Sequence, residues 1–140
     1  MDALYTAEAL STGNGRMGHV RTDDGAVDLD MNPPKSLGGS GVGSNPEQLF
    51  ASGYAACFHS AVLGAARSEK VTLNDSSVGA RVSIGALGDG AYGLAVALEV
   101  VLPGTDPTVA RRLADIAHAN CPYSNATRGN IEVTVTVSDD

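Results

Sequence analysis

Two cysteines, Cys57 and Cys121, are the only thiols in the chain. Cys57 lies in Tyr54-Ala55-Ala56-Cys57-Phe58, inside an apolar run. Cys121 opens Cys121-Pro122-Tyr123-Ser124, directly after an amphipathic stretch. One thiol in an uncharged helix and one at a proline-marked helix end suggest a reacting pair. One would attack a substrate and the other would close a disulfide.

Other constellations are weaker. The histidines are His19, His59 and His118. Cys57 and His59 are two apart and point to different helix faces. His118 and Cys121 are three apart and can share a face, but two ligands do not make a zinc site. His118 reads as a helix-terminal residue that complements the dipole. Gly38-Gly39-Ser40-Gly41-Val42-Gly43 lacks the Gly-Lys-Ser/Thr of a phosphate loop. Glu47 in the following first turn would repel a phosphate. The loop therefore reads as structural. No nucleophile-elbow pattern supports a Ser-His-Asp triad.

Composition bounds the rest. The 140 residues suffice for one domain, 1–140, able to bury roughly two-thirds of its unfolded surface. Charged residues are 18%, below the roughly 25% of a typical domain. With 17 glycines and no tryptophan, this deficit suggests a surface covered by another subunit. A net charge of −7 and the lack of a Lys/Arg cluster disfavour nucleic acid and anionic membrane. The N-terminus lacks the basic and apolar regions of a signal peptide, so a cytoplasmic location is expected. There a lone cysteine pair is more often redox-active than a permanent staple. Residues 48–66 carry no formal charge. Their Ala, Gly and Ser content, with Gln48, His59 and Ser60, fits a buried helix better than a bilayer span.

The elements that must position these residues follow from periodicity and punctuation. Residues 3–10 and 17–22 read as strands. Val27, Leu29 and Met31 alternate with Asp28 and Asp30, a half-buried strand. A loop follows over 32–45. Asn45-Pro46 pairs a favoured cap with a favoured first residue and starts a helix to 67–70. Val78 to Ala86 and Leu94 to Val101 read as strands. Asp106-Pro107 opens a second helix to Asn120, with Val109, Leu113, Ile116 and Ala117 on one face. Ile131, Val133, Val135 and Val137 alternate as a last strand. The order β-β-β-α-β-β-α-β predicts an α+β domain, with antiparallel sheets around a long buried central helix. Gly53 and Gly64 are expected to admit another helix. Tyr123 and Ser124 read as turn residues holding Cys121.

Asn45-Pro46-Glu47-Gln48-Leu49-Phe50-Ala51-Ser52-Gly53-Tyr54-Ala55-Ala56-Cys57-Phe58 and the segment Cys121–Asn130 resemble the organic hydroperoxide resistance proteins of the OsmC-like superfamily. The element order matches over essentially the whole chain. The Asn-Ala-Thr-Arg-Gly-Asn continuation resembles this subfamily rather than the osmotically induced branch. The resemblance implies a thiol peroxidase for organic hydroperoxides, working as an intertwined homodimer with two active sites. It implies Cys57 as the peroxidatic cysteine and Cys121 as the resolving one. Arg16, in Gly15-Arg16-Met17-Gly18, and Glu47 would complete the catalytic set, with Arg21 and Arg128 as alternatives to Arg16. It implies no bound cofactor, and a lipoyl group on a carrier protein (dihydrolipoamide) as external reductant.

The chemistry explains why such residues are needed. A thiolate is the nucleophile, and burial of Cys57 would oppose it. Arginine keeps its proton and offers a planar fork. At about 4 Å and an effective dielectric near 20 the attraction is about 4 kcal/mol, on the order of three pKa units. Glu47 would orient Arg16 through a bidentate pair. Ten helical residues, about 15 Å, separate Glu47 from Cys57. Arg16 would therefore bridge them, or Glu47 would serve the partner's site. Phe50, Tyr54 and Phe58, with Met17 or Leu37, are expected to line an apolar substrate site favouring alkyl, aryl or lipid hydroperoxides. The other function classes are a thiol redox sensor and a non-catalytic dimer binding apolar ligands.

Overall fold

The computed structural model describes residues 1–140. They form two compact units, residues 1–49 and 50–140.

The first unit holds a three-stranded antiparallel sheet, β1 (Ala9–Thr12), β2 (His19–Thr22) and β3 (Asp28–Asp30), in the order β1-β2-β3. The first strand is shorter than its pattern predicts and starts near the end of the expected range. A 3-10 turn over Gly15–Met17 connects it to β2. His19 opposes Asp30 and Arg21 opposes Asp28 across the β2-β3 ladder. A basic side chain therefore faces a carboxylate at each of these positions, a stabilising cross-strand pattern.

The glycine-rich loop folds back on itself. Gly39 and Gly41 donate their N–H groups to the Pro34 and Pro33 carbonyls at 3.1 and 3.2 Å. Ser40 N–H donates to Asn32 Oδ1 at 2.7 Å, and Val42 N–H to Ser40 Oγ at 3.1 Å. These donors are spent inside the loop, so it does not present a nest of free N–H groups to a phosphate.

Helix α1 (Pro46–Ser68) begins at the predicted cap. Gln48 N–H donates to Asn45 Oδ1 at 2.9 Å, and Asn45 N–H donates to Gln48 Oε1 at 3.0 Å. This reciprocal box satisfies two otherwise orphaned donors.

The second unit, 50–140, carries most of α1, then β4 (Ser77–Gly88), β5 (Ala91–Val101), α2 (Pro107–Asn120), α3 (Pro122–Thr127) and β6 (Glu132–Ser138). Asp89 and Gly90 both have positive φ, 49° and 80°, which suits the tight turn of the β4-β5 hairpin. Asp106 Oδ1 accepts from the N–H groups of Thr108 and Val109 and caps α2.

The α+β class, the two sheets and the long helix are as the sequence predicts. Three details differ. Strand β6 lies beside β5 in parallel, so this sheet is mixed rather than wholly antiparallel. Its cause is the connection: a helical crossover, not a tight turn, joins β5 to β6. Helix α1 is buried along one stripe only, at Tyr54, Phe58, Val62, Ala65 and Ala66. Gln48, Ser52, Ala56 and Ser60 repeat every four residues on an exposed stripe. Finally, residues 122–127 form a short helix rather than a turn, started by Pro122 at its first position.

The core of this unit is one cluster. Val96, Leu98 and Val100 alternate along β5 and meet the buried stripe of α1 and Ala110, Leu113, Ala114 and Ala117 of α2. Cys121, wholly buried, closes that cluster.

Candidate active site

The unit of residues 50–140 brings Cys57 and Cys121 together. Their sulfurs are 3.5 Å apart, and the Cys121 thiol donates toward Cys57 Sγ. Both thiols are free. Helix α1 carries Cys57 at its middle, one residue before buried Phe58. Cys121 stands at the junction of α2 and α3, its N–H closing α2 on the Ala117 carbonyl at 2.8 Å. A disulfide needs about 2.05 Å, so a shift of about 1.5 Å would join the sulfurs.

Cys57 is half-buried and Cys121 has no exposure. Cys57 lines a cavity of about 580 Å³ together with Ser60, Ala61, Gly64, Ile116 and Pro122. Burial pushes the Cys57 thiol above its ordinary value. The Tyr123 backbone N–H pulls the other way by donating to its sulfur. The neighbouring Cys121 thiol raises it again, because two adjacent sulfurs do not ionise together.

The unit of residues 1–49 brings Arg16 and Glu47 together. Nη1 donates to Oε2 at 3.0 Å and Nη2 to Oε1 at 2.8 Å. This fork-to-fork geometry is the strong form of the pair. The hydrogen bond from Arg16 holds the Glu47 carboxyl below its usual range, and the same bond raises Arg16 further. Glu47 is the better shielded partner, with 13% of its side chain exposed against 47% for Arg16. The alternative arginines are engaged elsewhere: Arg21 donates to Asp28 Oδ2 at 3.0 Å, and Arg128 to Asn125 Oδ1 and the His118 carbonyl. Met17 and Leu37 are exposed on this unit.

The proposed lining residues lie deeper than expected. Tyr54 and Phe58 have no solvent exposure and belong to the core rather than to an open wall. Their rings pack in edge contacts with each other and with neighbours, Phe50 to Tyr54 at 6.0 Å and Tyr54 to Phe58 at 6.4 Å. Phe50, partly buried, also packs against Tyr123 with the rings tilted and their centroids 5.9 Å apart. The apolar helix period that marks an aromatic wall marks a core equally well.

Several functional contacts had little sequence signal. Ser124 is a buried junction, not a turn residue. Its Oγ lies 2.9 Å from both Tyr54 Oη and His118 Nδ1. His118 is half-buried, and burial lowers its basicity, with Arg128 adding to the effect. Its Nδ1 is engaged by Ser124, and burial works against the cationic form that a dipole-stabilising role would use. Gly53 admits a side chain of the neighbouring helix α3: a Cβ there would stand 2.7 Å from the Tyr123 hydroxyl. Gly64 has only Arg67 of its own helix nearby. His59 Nε2 meets Ser76 Oγ at 3.0 Å. No three His, Cys, Asp or Glu side chains are grouped to hold a metal.

The sequence profile described as OsmC-like protein matches residues 38–136. An organic hydroperoxide resistance protein of Xanthomonas axonopodis pv. citri is 47% identical over 137 residues, covering 96% of this chain and 95% of that protein. The organic hydroperoxide resistance protein OhrB of Bacillus subtilis is 42% identical, covering 94% of this chain and 96% of its own. The crystal structure of an organic hydroperoxide resistance protein from Legionella pneumophila superposes with a TM-score of 0.94 at 47% identity, covering 98% of this chain and 99% of that one. The likeness extends over nearly the full length in sequence and in fold, and this chain belongs to the OsmC-like family.

Proposed function

We propose that this protein confers resistance to organic hydroperoxides by reducing them with its thiol pair. The observation that carries the reading is the 3.5 Å separation of the Cys57 and Cys121 sulfurs beside a cavity. The names of relatives at 42–47% identity support the substrate class.

Cys57 attacks as the thiolate. Its sulfur takes the terminal oxygen of R–O–OH, the O–O bond breaks, and the leaving alkoxide takes a proton to become the alcohol. Cys57 is then a sulfenic acid. The Cys121 thiol displaces its hydroxyl as water and forms the Cys57–Cys121 disulfide, which prevents further oxidation. A lipoyl dithiol on a carrier protein returns both thiols and leaves as the cyclic disulfide. Cys57 is the group that can be reached, because it lines the cavity while Cys121 is fully covered. That asymmetry supports Cys57 as attacker and Cys121 as resolver.

In this reading Arg16 supplies the positive charge that burial of Cys57 demands, and Glu47 fixes the guanidinium plane. The working form is a cytoplasmic homodimer. Small side chains around the cavity, Ala61 and Gly64 among them, suit an alkyl or aryl group. Phe50 is the aromatic candidate for substrate contact, while Tyr54 and Phe58 support it from the core.

The test is steady-state consumption of cumene hydroperoxide with dihydrolipoamide as donor. Turnover by the wild type, its loss in Cys57→Ser, and poorer use of hydrogen peroxide are expected. Wild-type protein that consumes no hydroperoxide while both thiols stay free would rule the reading out.

A further inference from the structure

Beside the two cysteines runs a chain of polar side chains buried in the core. Tyr54 and Ser124 have no exposure and Thr127 has 2%. Tyr54 Oη lies 2.9 Å from Ser124 Oγ and 3.1 Å from Thr127 Oγ1. His118 Nδ1 lies 2.9 Å from Ser124 Oγ. The Thr127 hydroxyl also donates to the Tyr123 carbonyl at 3.0 Å. No buried side-chain nitrogen or oxygen lacks a partner.

Such groups are costly in a core unless every bond is made. When every bond is made, they select one geometry over its neighbours. Their placement in the chain shows which geometry. Tyr54 precedes Cys57 by three residues on α1, so the two share a helix face. His118 precedes Cys121 by three residues on α2. Ser124 follows Cys121 by three residues on α3. Three elements that carry or flank the thiols thus meet at one hydroxyl. The residue before Ser124 is Tyr123, whose N–H donates to Cys57. Its side chain sits over Gly53, and its ring lies 5.5 Å from Tyr54.

We propose that Ser124 is a positioning residue for the thiol pair: by tying Tyr54 and His118 to α3, it holds the Tyr123 N–H and the Cys121 sulfur against Cys57. Ser124 touches neither sulfur through its hydroxyl and takes no part in bond making. Its effect passes through the register of α3. A short helix of six residues has little stability of its own, so its position depends on these side-chain bonds.

This inference rests on the thiol-pair reading, and its test uses the thiols without peroxide turnover. The alkylation rate of Cys57 by iodoacetamide is followed against pH in wild type, Ser124→Ala and Tyr54→Phe. Closure of the Cys57–Cys121 disulfide by diamide is followed in the same proteins. Ser124→Ala is expected to move the alkylation midpoint up by about one pH unit, about tenfold less thiolate at a given pH. It is also expected to slow disulfide closure about tenfold. Tyr54→Phe keeps the ring and is expected to shift both readouts in the same direction, by less. A folded Ser124→Ala with a lower melting temperature but an unmoved midpoint and closure rate would overturn the proposal. If Ser124→Ala does not fold, unchanged values in Tyr54→Phe would overturn it equally. Absence of peroxide turnover in the wild type, with these shifts present in the variants, would count against the enzyme reading alone.

Discussion

Arg16 and Glu47 face each other as two planar forks, with both nitrogen–oxygen contacts at 3.0 Å or less. The pair joins a 3-10 turn to the first turn of α1, thirty-one residues on. A lysine has the charge but not the fork. Arg16→Lys is therefore expected to reduce the peroxidase rate about 10²-fold, the scale for losing one preorganised electrostatic partner. The bond from Arg16 depresses the Glu47 carboxyl. The contribution of the pair is then present above the unfolded carboxylate value, about 4.3, and is lost as pH falls through the lower folded value. Thermal stability measured from pH 6 down to pH 3 should fall less steeply in Glu47→Gln than in wild type. Equal slopes would show that the pair adds nothing measurable.

Removal of the second thiol has a different signature. In Cys121→Ser the first attack on peroxide is intact, but the sulfenic acid has no neighbour to condense with. Mass spectrometry of the Cys57 peptide after excess hydroperoxide is expected to show two or three added oxygens. The wild type is expected to show the disulfide instead. A Cys121→Ser protein that stays at the reduced mass would mean that Cys57 is not the attacked residue.

Gly53 and Tyr123 offer a packing test. An alanine Cβ at position 53 meets the Tyr123 hydroxyl at 2.7 Å and two ring carbons at 3.3 Å. The exchange gains about 0.5–1 kcal/mol of helix propensity, against about 1–3 kcal/mol for overpacking. Gly53→Ala is expected to lose about 1 kcal/mol net in denaturant unfolding. Tyr123→Phe removes the nearest atom, so the double variant should be more stable than the sum of the single changes implies. Strict additivity would mean that Tyr123 swings away freely.

The elements were legible wherever period and punctuation agreed. Asn45-Pro46 and Asp106-Pro107 marked both long helices at their true starts, and the alternating valines of residues 131–137 marked β6. Strand direction was not legible, because pairing between β5 and β6 depends on where the crossover through α2 and α3 delivers the chain. The short α3 was missed because six residues give no period, although Cys121-Pro122 carried a start signal. The pairing of Cys57 with Cys121 was suggested by their being the only two thiols, whereas that of Arg16 with Glu47 is long-range and came only with the family resemblance. At Tyr54 and Phe58 a buried stripe and a ligand-facing stripe have the same spacing, so periodicity does not separate a wall from a core. The role of Ser124 had no signal at all: a serine in a polar segment looks like a turn until Tyr54, seventy residues earlier, is placed beside it.

His118 sets a pH dependence of stability on the acid side. Burial, its main perturbation, lowers its basicity. The unfolded chain therefore binds a proton more readily than the folded protein. The associated stability is full above about pH 6.5 and is lost as pH falls below that value toward the lower folded one. The melting temperature is expected to drop between pH 7.5 and pH 5, and to drop less in His118→Gln. An identical drop in both proteins would assign the loss to other groups.

In the proposed chemistry Cys57 and Cys121 form one redox unit. A single-turnover experiment tests it most directly: one equivalent of cumene hydroperoxide is added to the fully reduced protein, free thiols are counted, and peptides are mapped without reduction. Both thiols are expected to disappear together, with one cumyl alcohol formed per chain and a Cys57–Cys121 linked peptide. Two thiols still free after the hydroperoxide is mixed in, or cysteines linked only between chains, would contradict it.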